Sequence, residues 1–336
     1  MKTILLLITI TLVLLAILIL ALKPLTAGAK VVLLVSQEFP QIPFKPLHSV
    51  TPKPKLEKVK FGPSADGQKI VGDLFIPKGA NKNPALIVAM GVKTSDKDKP
   101  ILLGFSDTLA RLGYVVLWPR LEQLENNVIK LEEPQTFIEA FNYLQERNEV
   151  DKNRISYVGL SVGSSLSLVA AEDKTINDKV RSIVFFGGYY NIIDYLSSLS
   201  TKEIILDQKI IKWEPAKTAV DHAQEILEKE ALTLALFDKK TPLDPTLTKR
   251  LSRFSPDQNI DSLKAKIFIL HEKSDTFVPY TESIKLKQAL EKKKVSIAYH
   301  QANLFEHVQP KKGVSYEIIK EFLGLFRFLH NLFINL

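Results

Sequence analysis

Ser161 lies at the centre of the sequence Gly-Leu-Ser-Val-Gly, a spacing that is typical of a catalytic nucleophile. The apolar residues 155–158 predict a strand just before it, and the small and aliphatic residues 164–171 predict a helix just after it. In such a turn the serine backbone is strained, so the residues two positions away, Gly159 and Gly163, must be small. The five-residue pattern alone is weak evidence, but its position between a strand and a helix strengthens it. Ser161 is therefore the candidate nucleophile.

A nucleophilic serine needs two partners, and both residue types follow Ser161 along the chain. The hydroxyl is a poor nucleophile until an imidazole removes its proton, and a carboxylate must fix the tautomer of that imidazole. A predicted strand at 266–270 precedes a polar segment that contains Asp275, and a predicted strand at 295–299 precedes a loop that contains His307. The order serine, acid, histidine is the one expected when the serine lies on a strand-to-helix turn. Asp275 is thus the candidate acid and His307 the candidate base.

Each candidate has competitors. Glu272 lies in the same polar segment as the candidate acid, and Asp194 follows another predicted strand, at 182–186. His300, at the end of a strand, competes for the role of base. Each residue also has a purely structural interpretation, because Ser161 could be an ordinary small turn residue and charged loop residues are usually solvated. Order along the chain favours the candidates named above.

From about residue 58 to about residue 328 the chain resembles the α/β-hydrolase family. The matching pieces are the turn at Ser161, the H-x-x-x-D-x-x-V-P segment that ends at Pro279, and the F-x-H sequence that ends at His307. Asp66–Pro77 is similar to the opening antiparallel hairpin of esterase-like and dienelactone-hydrolase-like members. The resemblance implies an α/β fold with a mostly parallel sheet of about eight strands flanked by helices. It implies no cofactor and no metal.

The backbone donors for a tetrahedral oxyanion come from the same resemblance. Family members commonly carry His-Gly after the third strand, whereas this chain has Met90-Gly91 followed by Val92. The oxyanion hole needs backbone N–H groups and not the histidine itself, so Gly91 still lets the loop approach the serine. The predicted donors are the N–H groups of Val162 and Val92. The altered sequence also keeps open a catalytically silent fold used as a binding module.

Residues 190–262 are more than a minimal member of the family needs. Within this insertion, 215–237 and 244–254 have the composition and spacing of helices. The resemblance implies a helical cap over the active site, and the alternative is a helical excursion on the edge of the sheet. Four aromatic residues are candidate pocket walls or core residues: Tyr189, Tyr190, Tyr195 and Trp213.

The beginning of the chain predicts a membrane anchor. Thr3–Leu22 is a run of 20 mostly Leu and Ile residues, which is long enough to span a bilayer. We favour an uncleaved transmembrane anchor over residues 1–23, although the small residues 27–29 leave a cleaved secretory signal as the alternative. Lys2 favours a cytoplasmic amino terminus, which places the catalytic domain outside the membrane as a single-pass or, after cleavage, a secreted protein.

The rest of the chain is expected to form one domain. Residues 24–57 are predicted to be an extended linker, because five prolines lie between residues 37 and 60. The hydrolase domain then covers 58–336 and ends in an amphipathic helix at 316–336. The lysines are scattered despite a net charge of +8, and no nucleic-acid, phosphate-binding or metal-spaced motif is present. Without cysteines the chain forms no disulfides. The oligomeric state stays open.

The sequence therefore predicts a membrane-tethered serine hydrolase. Its expected substrate is a small-molecule carboxylic ester, cleaved through an acyl-enzyme intermediate. A serine peptidase of the prolyl-oligopeptidase type is an alternative, since its hydrolase domain has the same turn, residue order and opening hairpin. The silent binding module is the alternative from outside the enzymes.

Overall fold

The protein is described by a computed structural model over residues 22–63, 67–91, 98–120, 133–311 and 316–336. The strands are β1 (Lys55–Phe61), β2 (Ile70–Ile76), β3 (Asn83–Ala89), β4 (Val115–Pro119), β5 (Val150–Leu160), β6 (Ser182–Phe186), β7 (Glu203–Leu206), β8 (Lys209–Lys212), β9 (Lys266–Glu272), β10 (Ile297–Ala302), β11 (Phe305–Glu306) and β12 (Gln309–Pro310). The helices are α1 (22–38), α2 (Leu47–Val50), α3 (Asp98–Arg111), α4 (Glu133–Glu146), α5 (Val162–Ala171), α6 (Ile192–Thr201), α7 (Lys217–Lys229), α8 (Pro245–Ser252), α9 (Thr281–Lys292) and α10 (Tyr316–Asn335). Short 3-10 turns lie at Leu234–Phe237, Pro256–Gln258 and Ile260–Ser262.

Eight strands form one sheet in the order β1-β2-β4-β3-β5-β6-β9-β10. The pairs β1–β2 and β2–β4 are antiparallel, and every later pair in this order is parallel. This confirms the predicted mostly parallel sheet with an antiparallel opening hairpin. Since parallel strands run in one direction, the loops that follow β3, β5, β6, β9 and β10 meet at the same edge of the sheet.

Both faces of the sheet are covered. Alternate residues of β3 show this, because Ile87 packs into one hydrophobic cluster and Leu86 and Val88 pack into the other. Helices α4, α5 and α9 cover the first face, and α1, α3 and α10 cover the second. A parallel sheet buried on both sides needs continuous apolar strands, which explains why these segments are rich in Val, Ile, Leu and Phe.

The extended linker predicted for 24–57 is wrong over its first part. Residues 22–38 are helical, and Ala27 and Val31 are buried in the second core. Phe39 follows the helix, and its ring lies 4.9 Å from that of Phe322 in α10. The prolines that suggested an extended chain begin only at Pro40, while the residues before them have apolar side chains one helical turn apart.

The predicted anchor over 1–23 lies outside the described residues except for its last two positions. Among the helices in the described part of the chain, none combines the length and the hydrophobicity needed to cross a membrane. The carboxyl-terminal helix forms as predicted. Its final turns bury Phe328, Leu332 and Phe333 against the second core.

Candidate active site

Ser161 lies on the sharp turn between β5 and α5. Its backbone has φ 55° and ψ −136°, which is the strained conformation that the sequence predicts. The turn is held from β6, because the N–H of Ser161 donates to the carbonyl of Phe186 at 2.8 Å. The serine therefore lies at the carboxyl edge of the sheet, in the middle of its strand order.

The two glycines of the turn are required by close packing. A Cβ atom on Gly163 would lie 2.3 Å from the carbonyl oxygen of Ala89, and one on Gly159 would lie 2.4 Å from the Cα of Ser164. Carbon atoms do not approach backbone atoms that closely, so a side chain at either position would displace the turn. This is the steric reason that the sequence pattern anticipates.

The loop after β3 leaves an empty space beside the serine. A Cβ atom on Gly91 would lie 3.1 Å from Ser161 Oγ and 3.3 Å from the backbone nitrogen of Val162. Val162 is the first residue of α5, so its N–H has no acceptor within the helix. The space can accept an oxygen atom that receives a hydrogen bond from Val162. The second predicted donor, Val92, lies outside the described residues.

His307 and Asp275 are paired, as the sequence predicts. His307 Nδ1 donates to Asp275 Oδ2 at 2.7 Å. His307 and Val308 form the turn of the β11–β12 hairpin, and the His307 ring stacks on Phe277 with the ring centres 5.0 Å apart. Its other nitrogen, Nε2, is buried and has no hydrogen-bond partner among the described residues. That nitrogen is free to take a proton.

The Asp275 carboxylate accepts four hydrogen bonds. Oδ1 accepts from the backbone N–H groups of Phe277 at 2.7 Å and Val278 at 3.0 Å, and Oδ2 accepts from His307 and, at 3.3 Å, from His271 Nε2. Burial raises the pKa of Asp275, but the charge of His307 and the hydrogen bonds from both histidines outweigh it and hold that pKa well below its usual range. The carboxylate stays ionised and can stabilise an imidazolium at His307.

The sequence pattern does not predict the role of His271. It predicts that the strand ends at Leu270 and that a polar loop follows, whereas β9 continues through Glu272 and both His271 and Glu272 are fully buried. His271 Nε2 lies 3.0 Å from the carbonyl oxygen of Val278. A carbonyl only accepts, so Nε2 carries the proton. The histidine four residues before the aspartate was visible in the sequence, but its burial depends on neighbouring strands.

The competing residues lie elsewhere or do other work. Asp194 is exposed on α6 and pairs with Lys285 at 2.7 Å. His300 packs against Phe328 of α10, on the second core. Glu272 accepts a hydrogen bond from the N–H of Phe305 and does not contact the histidine. The structure therefore brings together the histidine and acid that the sequence favours, and not their competitors.

A cavity of about 720 Å³ contains Ser161 and His307 in its wall. Much of the remaining wall comes from the insertion, and includes Ile192, Leu196, Ala219, Ala223, Leu227 and Phe254. Of the four aromatic candidates, Tyr189 and Tyr195 line the cavity. Trp213 instead donates from Nε1 to the backbone oxygen of Asp275 at 2.9 Å. Among the described residues, no group of three or more His, Asp and Glu is arranged to hold a metal ion.

No protein-family model matches the chain, and no curated protein sequence matches it. Several solved structures are similar. Dipeptidyl peptidase 4 of Porphyromonas gingivalis has a TM-score of 0.57 at 14% identity, with 85% of this chain and 36% of that chain covered. A post-proline cleaving enzyme from Rickettsia typhi has a TM-score of 0.54 at 15% identity, with 84% and 37% covered. An esterase of Pyrobaculum calidifontis has a TM-score of 0.53 at 16% identity, with 94% and 92% covered.

The chain spans only about a third of the length of the two peptidases but matches nearly the whole esterase. Identities this low report on the fold and not on the substrate. The sheet order, the strained serine after β5 and the three similar structures agree on one architecture. The chain has the α/β-hydrolase fold.

Proposed function

We propose that the protein is a serine hydrolase that cleaves carboxylic esters of aliphatic acids through an acyl-enzyme intermediate. The observation that carries the proposal is the 2.7 Å hydrogen bond between His307 and Asp275, with the free Nε2 of His307 and the strained Ser161 in the wall of one cavity. Nothing in the packing of the sheet requires a serine, a histidine and an aspartate at these positions. They are the nucleophile, base and acid of acyl transfer.

In the proposed reaction Ser161 Oγ attacks the ester carbonyl while His307 Nε2 accepts the hydroxyl proton. Asp275 stabilises the imidazolium that forms, and His307 then gives the proton to the departing alcohol. The oxyanion occupies the space beside Gly91 and accepts from the N–H of Val162, a contribution of about 3 kcal/mol to lowering the barrier. Water repeats the sequence on the acyl-enzyme and releases the acid.

The walls of the cavity favour an aliphatic acyl group. The side chains of Ile192 and Leu196 on α6 and of Ala219, Ala223 and Leu227 on α7 supply methyl and methylene surface. An acyl chain packed there loses contact with water, which is worth about 0.8 kcal/mol for each buried methylene. We infer that the insertion, residues 190–262, is a cap that binds this chain. Residues 1–23 would hold the domain outside a membrane.

A peptidase remains the second candidate, because two of the similar structures are peptidases. A peptide substrate would use the same nucleophile and base, so the distinction lies in the cavity. A peptide also needs partners for its backbone N–H and C=O groups. The surface that α6 and α7 present to the cavity is mainly aliphatic, with Tyr195 and His222 as its two polar side chains, and this composition favours the ester.

The test uses the full chain in detergent micelles with a fluorophosphonate probe, which labels activated serines. We expect labelling of the wild type, none of Ser161→Ala or His307→Ala, and wild-type labelling of Ser167→Ala, a serine on α5 whose hydroxyl donates to Ser164 within the same helix. Nitrophenyl esters from acetate to dodecanoate, nitroanilides of the same acids and aminoacyl nitroanilides then report the substrate. Faster cleavage of aminoacyl anilides would favour the peptidase. A folded wild type that is not labelled would favour the binding module.

A further inference from the structure

Glu272 is a fully buried carboxylate at the end of β9, three residues before Asp275. An isolated charge in such a place is costly, so its partners reveal what it does. Both of its oxygens are occupied, and the partners come from two different loops. One loop follows β9 and carries Asp275, and the other follows β10 and carries His307.

On the acid side, Glu272 Oε1 binds Ser274. It accepts from the Ser274 hydroxyl at 2.8 Å and from the Ser274 N–H at 3.2 Å. Ser274 is the residue immediately before Asp275. These two hydrogen bonds therefore fix the backbone from which the acid extends.

On the base side, Glu272 holds both strands of the hairpin whose turn is His307. Oε2 accepts from the N–H of Phe305, in the first strand, at 2.9 Å. Oε1 pairs at 3.0 Å with Nζ of Lys311, which directly follows the second strand. Lys311 also donates to Ser274 Oγ at 3.1 Å, so the two loops are joined a second time.

We propose that Glu272 is a positioning residue that sets the distance between the acid and the base of the triad. The inference rests on the proposed function, since it assigns Glu272 a part in the same reaction. A single rigid carboxylate contacts Ser274, one residue from Asp275, and Phe305, two residues from His307. Hydrogen bonds to an ionised group are strong and directional, so they restrict how far the two loops can separate. Lys311 neutralises the buried charge.

The test compares Glu272→Gln, Lys311→Met and the double variant in the full chain. The glutamine keeps the size of the side chain but replaces one acceptor oxygen by an N–H donor, which must then face a donor. We expect kcat for the best ester to fall at least about tenfold in each single variant, with KM changed by less than about twofold. Because both changes break one network, the double variant should lose less than the product of the two single losses.

Asp73→Asn is the matched control. Asp73 is also fully buried and paired with two cations, Lys58 at 2.6 Å and Arg120 at 3.2 Å, but it lies on β2, and four strands separate β2 from β9 in the sheet. Its substitution should lower the midpoint of thermal unfolding while kcat of the folded protein stays unchanged. Loss of a buried charge partner is thereby separated from loss of positioning.

A second readout does not depend on turnover. The proton in the hydrogen bond from His307 Nδ1 to Asp275 gives a downfield resonance in the proton NMR spectrum. We expect it to move upfield or broaden in Glu272→Gln and Lys311→Met, and to stay in place in Asp73→Asn. If the wild type hydrolyses no substrate but the resonance responds in this way, the proposed function fails and the positioning role stands. An unchanged resonance together with unchanged kcat in both variants would overturn the inference. Lys311 is partly exposed, so Lys311→Met is expected to fold even if Glu272→Gln does not.

Discussion

Two buried carboxyl groups, Asp275 in the loop after β9 and Glu172 at the end of helix α5, have opposite surroundings. Asp275 accepts four hydrogen bonds, and the two histidines hold its pKa well below the usual range against the effect of burial. Glu172 is only 5% exposed, and neither of its oxygens has a hydrogen-bond partner among the described residues. Burial, and secondarily the negative charge of Asp257, raises the pKa of Glu172 to about 9.

The difference shows that burial alone does not decide whether an acid is charged in this protein. Both groups lose contact with water, but the hydrogen-bond donors and the charges around them differ. Where the proposed chemistry needs an anion, the loops after β9 and β10 supply N–H groups that stabilise it. Where the chain supplies none, the carboxyl group is neutral at pH 7. Substitutions of Asp275 and Glu172 can test whether the two groups differ in charge as described.

The largest effect is expected from Asp275→Asn, which changes the carboxylate that has the most hydrogen-bond donors. The amide keeps the shape of the side chain but presents an NH₂ group to at least one of the four donors and removes the negative charge that faces His307. By analogy with the same change in other serine hydrolases, kcat should fall by about 10³ to 10⁴, with KM little changed. Steady-state kinetics with the preferred ester measures this. A loss of less than tenfold would show that Asp275 is not the acid of the triad.

The proposed reaction at the carboxyl edge of the sheet also needs room for the oxyanion beside Gly91. Gly91→Ala tests this requirement. The added methyl group would lie 3.1 Å from Ser161 Oγ and 3.3 Å from the nitrogen of Val162, where the oxyanion is proposed to bind. We expect kcat to fall about 10² to 10³-fold, the loss that follows removal of one oxyanion donor. Gly104→Ala on α3 is the control, because a Cβ there meets no atom within 4 Å. Equal activity of both variants would place the oxyanion elsewhere.

Glu172→Gln, at the carboxyl group that has no hydrogen-bond donor among the described residues, should stabilise the protein. The pKa of this acid is about 9 when folded and 4.5 in its ordinary state, so between these values the folded state holds a proton that the unfolded state has lost. The stability that goes with the neutral form is complete below pH 4.5 and declines as the pH rises toward 9. At pH 7 the cost is about 3 kcal/mol, at about 1.4 kcal/mol for each pH unit. A neutral glutamine does not incur it.

Urea unfolding at two pH values measures this effect. The gain in the free energy of unfolding from Glu172→Gln should be about 3 kcal/mol at pH 7 and less than about 0.5 kcal/mol at pH 4.5, because the carboxyl group is then protonated in the folded state and half protonated in the unfolded state. Glu225→Gln on α7 serves as the matched control, because this side chain is 43% exposed and pairs with Lys229, and it should change stability little at either pH. A gain of equal size at both pH values would mean that packing, and not ionisation, distinguishes the two side chains.

The same contrast separates what the sequence predicts from what it does not. The Ser161 turn was predictable because its requirements are local: a strand, a helix and two glycines within five residues. Asp275 and His307 were predictable because their order follows from the fold. The burial of Glu172 and Glu272 was not predictable, because the sequence alone suggests that a charged residue near the end of a helix or strand is solvated. Only the neighbouring strands and loops decide whether it is buried.

The amino-terminal segment shows that the burial of apolar residues is also hard to predict from the sequence alone. The chain between Pro40 and Pro54 is irregular except for α2, but Ala27 and Val31 belong to a helix that packs on the second core. A helical stripe this short gives a weak periodic signal beside a long apolar run. The helix that it packs against, α10, is about 300 residues away in sequence. A hydrogen bond from His330 in α10 to the carbonyl of Pro24 joins the two helices.

The smallest effect on turnover is expected from His271→Phe, which removes one of the four donors to Asp275. Phenylalanine fills the space of the imidazole but leaves the Val278 carbonyl and Asp275 Oδ2 without the Nε2 proton. A hydrogen bond to a charged group is worth about 1.5 to 3 kcal/mol, so kcat should fall about 10- to 100-fold.

His271→Gln distinguishes this donor from mere packing. The amide nitrogen of glutamine can replace Nε2 as a donor to Val278 and Asp275, although glutamine lacks the ring. If the hydrogen bond matters, glutamine should restore most of kcat, while phenylalanine should not. If phenylalanine keeps the wild-type kcat, His271 only fills space, and three donors are sufficient to keep Asp275 ionised. The contrast with Glu172 would then depend on Phe277, Val278 and His307 alone.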